Sequence, residues 1–157
     1  MKRVLIFTLL TLTAVVTSSC KNDDFDKNEW REFRLMDKWT KVLTIHYDAD
    51  NNVIKTEIPV QTGCPTTTLA FLEDKIVSET SFQKTGSDCQ KTTSNIGSWE
   101  LTNNNVTIRN NKTNQATTYS IRKLNALDLE LESSIYNANA TENLRKIRVL
   151  EQYIKVR

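Results

Sequence analysis

The chain has 157 residues, and its 21 Lys and Arg against 19 Asp and Glu give a net charge of +2. Both extra positive charges, Lys2 and Arg3, lie at the very start, so residues 20–157 are neutral and lack the basic face that nucleic-acid binding requires. This remainder is long enough for one domain with a real core but not for two.

The first twenty residues resemble a lipoprotein signal. A positive start is followed by an apolar stretch over residues 4–16, which is shorter than the about 20 residues that cross a bilayer. Ser18-Ser19-Cys20 resembles a bacterial lipobox, in which the Cys becomes the first residue of the mature protein and carries the lipid. We therefore predict a signal peptide over residues 1–19 and lipidation, as by palmitate, at Cys20. Ordinary cleavage, which leaves Cys20 free or disulfide-bonded, is the alternative.

Residues 20–34 are predicted to be a lipidated tether. The chain that follows Cys20 is short and charged, which favours a solvated segment. Lys21 followed by Asp23-Asp24 resembles the surface-export signal of Bacteroidota lipoproteins, and a generic acidic tether is the alternative. We expect the protein in the cell envelope, anchored to the outer membrane through its lipid, on the periplasmic or the cell-surface face.

The domain is predicted to cover residues 35–157, and nearly all of it has the two-residue period of β-strands. Just before it, Trp30, Phe33 and Met36 have helical spacing, which predicts a short N-terminal helical turn. Clusters of Asn and Asp separate the strands, and Asn tolerates the left-handed backbone that hairpin turns need.

Eight or nine short strands joined by local turns predict a meander. Closing a meander into a barrel removes its exposed edges, so we predict an all-β, eight-stranded up-and-down barrel. A β-sandwich is the alternative. In the last strand the apolar parity switches between Val149 and Leu150, which predicts a bulge or a strong bend there.

The remaining two cysteines, Cys64 and Cys89, form an even pair. In an oxidising compartment such a pair favours one disulfide. Free thiols are the alternative. Two metal-binding thiolates fit poorly, because the sequence has no CxxC motif and only one His.

Four strings of the domain, taken in order, resemble the lipocalin-like domains of Bacteroidota lipoproteins. In chain order they are Asp37-Lys38-Trp39-Thr40-Lys41-Val42, Leu69-Ala70-Phe71-Leu72-Glu73-Asp74, Gly97-Ser98-Trp99-Glu100-Leu101 followed by Val106-Thr107-Ile108, and Ser120-Ile121-Arg122-Lys123-Leu124-Asn125-Ala126-Leu127-Asp128-Leu129. The resemblance implies an eight-stranded barrel over roughly residues 35–157. It implies little about activity, because a fold does not carry a function.

We find no pattern for catalysis and predict that the protein is not an enzyme and uses no cofactor. His46 is the only imidazole. Its parity is opposite to that of Trp39, Leu43, Ile45 and Tyr47, so we expect it on the surface of the first strand. Three acidic residues, Asp128, Glu130 and Glu132, alternate with three leucines and predict a solvated outer face.

Alternating apolar residues on separate strands are the candidate binding chemistry. The predicted cavity-lining residues are Trp39, Leu43, Phe71, Trp99, Leu101 and Tyr119. They would line a cavity for a small hydrophobic ligand, or they would fill a solid core. The first case predicts a ligand-binding module, and the second predicts an interaction or inhibitor module that contacts an envelope protein through its loops or a strand edge. In either case the membrane is a partner through the lipid, and nucleic acid is not.

Overall fold

One helix and nine strands make up the described part of this computed structural model, which covers residues 27–60, 63–136, 140, 142 and 145–157. The elements are α1 Lys27–Leu35, β1 Lys38–Tyr47, β2 Val53–Glu57, β3 Thr68–Phe71, β4 Ile76–Thr85, β5 Asp88–Thr102, β6 Asn105–Asn110, β7 Ala116–Leu124, β8 Asp128–Tyr136 and β9 Lys146–Lys155. Within these ranges, no helix is long and apolar enough to cross a membrane. The predicted signal peptide, the lipidation site Cys20 and most of the predicted tether lie outside the described residues.

The sheet closes on itself. Every neighbouring pair is antiparallel, and β1 pairs with β9 from Trp39 opposite Lys155 to Tyr47 opposite Arg148. β1, β3 and β4 to β9 therefore form an eight-stranded barrel. β2 is an extra strand that pairs with the last part of β1, from Thr44 opposite Glu57 to Tyr47 opposite Val53. The barrel prediction is confirmed over the sandwich alternative.

Asparagine turns set the hairpins as the sequence predicts. β5 and β6 are joined through Asn103, whose backbone is left-handed with a φ of 55°, and Asn114 in the β6–β7 turn has a φ of 54°. Gly97 shows why the Gly-x-Trp string begins with a glycine. A Cβ at Gly97 would lie 2.2 Å from the carbonyl oxygen of Arg109 on the neighbouring strand, which no side chain tolerates.

The predicted face of the first strand is wrong beyond Trp39. The β1–β9 register shifts between Lys41 and Leu43, so a bulge inserts one residue and reverses the parity of the rest of the strand. Leu43 consequently lies opposite Gln152, on the outer face of the barrel. The inner face of β1 is continued by Thr44 and His46 instead.

The bulge predicted in the last strand is absent from the described structure. The β8–β9 register is continuous from Asp128 opposite Ile154 to Tyr136 opposite Lys146. The apolar parity switches in the sequence because polar Glu151 occupies an inward position between Val149 and Tyr153, while apolar Leu150 and Ile154 face outward. The polarity of the strand changes there, and its geometry does not.

Helix α1 closes one end of the barrel. Leu35 at its C-terminus is fully buried, and its carbonyl oxygen accepts a 3.0 Å hydrogen bond from the Trp39 indole. The helix prediction is confirmed, but of the three residues that suggested it only Met36 packs against the core. Trp30 and Phe33 are 41% and 69% exposed. Trp30 packs instead against the Arg34 guanidinium, which lies 5.3 Å from the ring centre.

A disulfide ties the β2–β3 connection to the sheet. β3 pairs with β4 only as far as Thr68 opposite Thr80, so beyond that point β4 pairs with β5 alone among the described strands. Cys64 in the β2–β3 connection is bonded to Cys89 at the start of β5, with a Cα–Cα distance of 5.6 Å. The predicted pairing is confirmed.

Candidate functional site

A cavity of about 780 Å³ occupies the half of the barrel that lies away from α1. The helix lies at the end formed by the β3–β4 and β5–β6 turns, where Arg31 donates a hydrogen bond to the carbonyl oxygen of Asn103. The cavity is lined at the other end by the β6–β7 turn, through Thr113 and Gln115, and by the β2–β3 connection, through Pro65. We call this second end the mouth.

The cavity wall combines apolar and polar residues in about equal parts. Six apolar or aromatic lining residues come from six different strands, β3 to β8. They are Leu69, Phe82, Ile96, Ile108, Tyr119 and Leu131. Leu131 is fully buried, whereas Ile108 and Tyr119 are half-buried and pack against the core below them. The wall thus offers apolar groups beside polar ones, the combination that small-molecule sites use.

A polar network crosses this wall where β1 meets β9. Lys41 forms an ion pair with one carboxylate oxygen of Glu151, and the Tyr153 hydroxyl donates a 2.9 Å hydrogen bond to the other. The Lys41 ammonium also lies 5.5 Å from the centre of the Tyr153 ring. Lys41 lies opposite Tyr153 in the β1–β9 register. Glu151 precedes Tyr153 by two residues and therefore lies on the same face of β9.

The environment of this network keeps its phenols neutral. Burial raises the pKa of Tyr153 far above its ordinary value, and the adjacent Glu151 carboxylate adds to the shift. The pKa of Tyr119 is raised by burial and, to a smaller extent, by the same carboxylate. Both hydroxyls therefore remain protonated at any physiological pH and are hydrogen-bond donors.

A second carboxylate, Glu79, also lines the cavity. It lies opposite Leu69 on β3 and opposite Ser94 on β5, so the three side chains share one face. Glu79 makes no hydrogen bond or ion pair with any residue that the structure describes. It differs in this from Glu151, whose two carboxylate oxygens are both engaged.

Among the predicted cavity-lining residues, only Tyr119 lies on this cavity. Trp39 and Phe71 line a smaller cavity of about 380 Å³ beneath α1. Trp99 packs edge-on against Phe71, with ring centres 5.7 Å apart, and its indole donates a 3.0 Å hydrogen bond to the carbonyl oxygen of Leu72. These aromatics belong to the packed core on the α1 side of the larger cavity, and we call this side the solid half because the larger cavity does not extend into it.

The two other predicted cavity residues differ from each other. Leu101 is half-buried against the core and lies opposite Val106, on the inner face of the solid half. Leu43 is excluded by the β1 bulge, which places it on the outer face. The prediction assumed that every inward-facing residue lines the cavity. In the structure, some inward-facing residues line the larger cavity and others pack in the core.

His46 is not a surface residue, contrary to expectation. The bulge turns it to the side of buried Val149, and its side chain is 19% exposed. Its Nε2 atom is buried and lies 3.5 Å from a carboxylate oxygen of Glu57 on β2. His46 is not part of the cavity lining.

The three acidic residues of β8 lie on the outer face as predicted. Glu132 accepts from Arg122 and, at 3.1 Å, from Arg148, while Asp128 pairs with Lys123 at 2.9 Å. Glu130 accepts a 3.3 Å hydrogen bond from Gln152. Each carboxylate thus has an outer-face partner and faces away from the cavity.

The sequence analysis missed the polar residues of the cavity, namely Lys41, Glu79, Glu151 and Tyr153. A signal for them existed in β9, where a charged residue interrupts an inward row between Val149 and Tyr153. The same signal marks Lys41, a charged residue that stands between Trp39 and Leu43 in the row predicted to face inward. Glu79 lies in β4, which has too few apolar residues for their alternation to show which face of the strand is inward.

These features define a class of protein: a closed antiparallel barrel with one plugged end, one mouth and an interior cavity. The sequence profile of the lipocalin-like domain matches residues 29–131, and the chain belongs to that family. A comparison with curated protein sequences gives no match.

Two solved structures of bovine odorant-binding protein are similar to this chain at a low level. A deswapped triple mutant has 13% identity and a TM-score of 0.41, with 78% of this chain and 74% of that chain covered. The complex of the bovine protein with a selenium-containing odorant has 12% identity and a TM-score of 0.42, with 80% and 73% covered.

Proposed function

We propose that this protein binds a small, largely hydrophobic molecule inside its barrel while a lipid on Cys20 holds it at the outer membrane. The observation that carries the binding proposal is the cavity of about 780 Å³, which lies within the range of volumes that small-molecule sites occupy. A purely structural barrel of this size would fill that space with side chains, because protein interiors pack closely.

The composition of the cavity wall supports binding rather than catalysis. None of the described lining residues is a Ser, Cys or His, so the side chains that most often serve as nucleophile and base are not present together. The apolar wall would hold the body of a ligand, and the Tyr119 hydroxyl and the Lys41–Glu151 pair would contact its polar groups.

Dye binding tests the proposal directly. A neutral naphthylamine dye, whose fluorescence rises in an apolar environment, should bind to the purified barrel. Ile108→Trp projects a larger side chain into the cavity and should weaken the signal. Thr107→Trp, on the outer face of the same strand, is the matched control and should leave it unchanged. Equal dye binding by all three proteins would place the dye outside the cavity.

Strand β2 favours a second function, the docking of an envelope protein. β2 pairs only with β1 among the described strands, and it and the chain after it expose Val53, Ile54, Ile58 and Val60, the last at 85%. A partner could add a strand to this edge. Ile54→Lys should then release a co-purifying protein without affecting dye binding.

A further inference from the structure

Resting on the proposed ligand binding, we infer that the ligand carries a cationic head group, which binds the carboxylate of Glu79. The cavity therefore selects amphipathic amines or quaternary ammonium compounds over fatty acids and over neutral lipids. The argument depends on the charges of the wall, on the position of Glu79 within it, and on the apolar surface around it.

Among the described residues, three charged side chains line the cavity, namely Lys41, Glu79 and Glu151. Lys41 and Glu151 form an ion pair, and Tyr153 satisfies the second oxygen of Glu151. These two charges cancel each other within the wall. The cavity is left with one uncompensated negative charge, that of Glu79.

Glu79 is placed to receive a ligand rather than a neighbouring side chain. Its cross-strand neighbours on the inner face are Leu69 and Ser94, and neither carries a positive charge. Since the carboxylate has no hydrogen-bond or ion-pair partner among the described residues, a cationic group in the cavity would gain a charge-assisted bond without breaking an existing one. Partial burial strengthens such a bond, because the local dielectric constant is lower than that of water.

The apolar wall defines the rest of the ligand. Leu69 adjoins Glu79 directly, and Ile96, Ile108 and Leu131 continue the apolar surface across the cavity. A molecule with a cationic end and a hydrocarbon body would satisfy both parts of the site. The volume admits a body of several methylene groups or fused rings.

An anionic ligand fits the same wall poorly. Its carboxylate would become the third negative charge in one cavity. To reach Lys41 it would compete with Glu151, which would then lose its ion pair while partly buried. A neutral ligand would leave the Glu79 carboxylate without a partner among the described residues, as it is in the free protein.

Three probes with the same hydrocarbon chain and different head groups test this inference. Dodecylammonium and dodecanoate, each below its micelle concentration, and dodecanol, below its solubility limit, are used to displace the naphthylamine dye from the wild type, Glu79→Gln and Glu100→Gln. Glu100 lies on the exposed outer face of β5, so its substitution removes the same charge from outside the cavity. Dodecanol serves as a check that each variant keeps a folded cavity.

We expect dodecylammonium to bind the wild type most tightly and dodecanoate most weakly. Glu79→Gln should weaken dodecylammonium binding about tenfold, which is the worth of one charge-assisted hydrogen bond, and should leave dodecanol unchanged. Glu100→Gln should leave all three affinities unchanged.

The outcomes separate this inference from the proposed function. Tightest binding of dodecanoate, or equal dodecylammonium affinities for the wild type and Glu79→Gln, would overturn the cationic ligand while the binding function stands. Loss of dodecylammonium binding in Glu100→Gln would show adsorption to the outer surface and would also overturn it. Failure of all three probes and of the dye to bind the wild type would overturn the binding function itself.

Discussion

Truncating Trp99 to Ala should destabilise the barrel by about 4 kcal/mol. The side chain is 3% exposed, and it contributes through apolar burial, through the hydrogen bond to Leu72 and through the edge-on contact with Phe71. The hydrogen bond contributes about 1 kcal/mol and the aromatic pair about 0.5–1.5 kcal/mol beyond its area. Lost burial and the residual cavity supply the remainder, within the range of about 3–5 kcal/mol measured for buried aromatic residues.

Urea unfolding followed by circular dichroism measures this effect. With an m-value of about 1.5 kcal/mol per M, the midpoint of Trp99→Ala should fall by more than about 2 M. Trp30→Ala removes the same side chain from the exposed face of α1 and is the matched control. Glu130→Ala, on the outer face of β8, should stay within about 0.5 kcal/mol of the wild type. Equal midpoints for Trp99→Ala and the wild type would refute the assignment of Trp99 to the core.

Three further predictions concern the anchor, the disulfide and the buried phenol. Cys20→Ser should leave the barrel folded but move the protein from the membrane fraction to the soluble fraction, and continued membrane association would contradict lipidation. Replacing Cys64 and Cys89 together with Ser should lower the free energy of unfolding by about 3.5 kcal/mol, from the entropy of closing a loop over a separation of 25 residues. An unchanged urea midpoint would show that the bond does not stabilise the fold. Above pH 10 the stability of the wild type should fall, because Tyr153 ionises in the unfolded chain but stays protonated in the folded one. The slope from this residue is about 1.4 kcal/mol per pH unit, and an equal slope in Tyr153→Phe would contradict the burial argument.

The fold could be predicted from the sequence because local signals were consistent along the chain. Alternation in Leu129 and Leu131, with acidic residues between them, fixed the two faces of β8, and the structure has the same faces. The Asn-rich turns located the hairpins. The even cysteine pair anticipated the bond between Cys64 and Cys89.

The cavity could not be predicted in the same way. Alternation assigns a side chain to the inner face, but it does not say whether that part of the interior is solid or hollow. The difference depends on α1, which covers one end of the barrel. At the other end the β6–β7 turn and the β2–β3 connection surround the cavity. The bulge after Lys41 is invisible to parity, so one insertion moved Leu43 outward and turned His46 inward.

Polar residues inside the barrel were missed for a related reason. A charged residue in a strand is read as outward-facing, and Lys41, Glu79 and Glu151 all line the cavity. Two of them neutralise each other across the β1–β9 seam, which is a long-range pairing that sequence spacing does not show. The separation along the chain between Lys41 and Glu151 is 110 residues.

Native mass spectrometry of the protein taken from its own membrane tests the central claim that the barrel holds a small molecule. The wild type should carry one bound molecule that is lost on denaturation, whereas Ile108→Trp, which narrows the cavity, should retain a smaller fraction of it. The Thr107→Trp control should retain the bound molecule. A wild-type protein that carries no ligand and binds no dye would contradict the account, and a protein partner in place of the ligand would favour docking at the β2 edge.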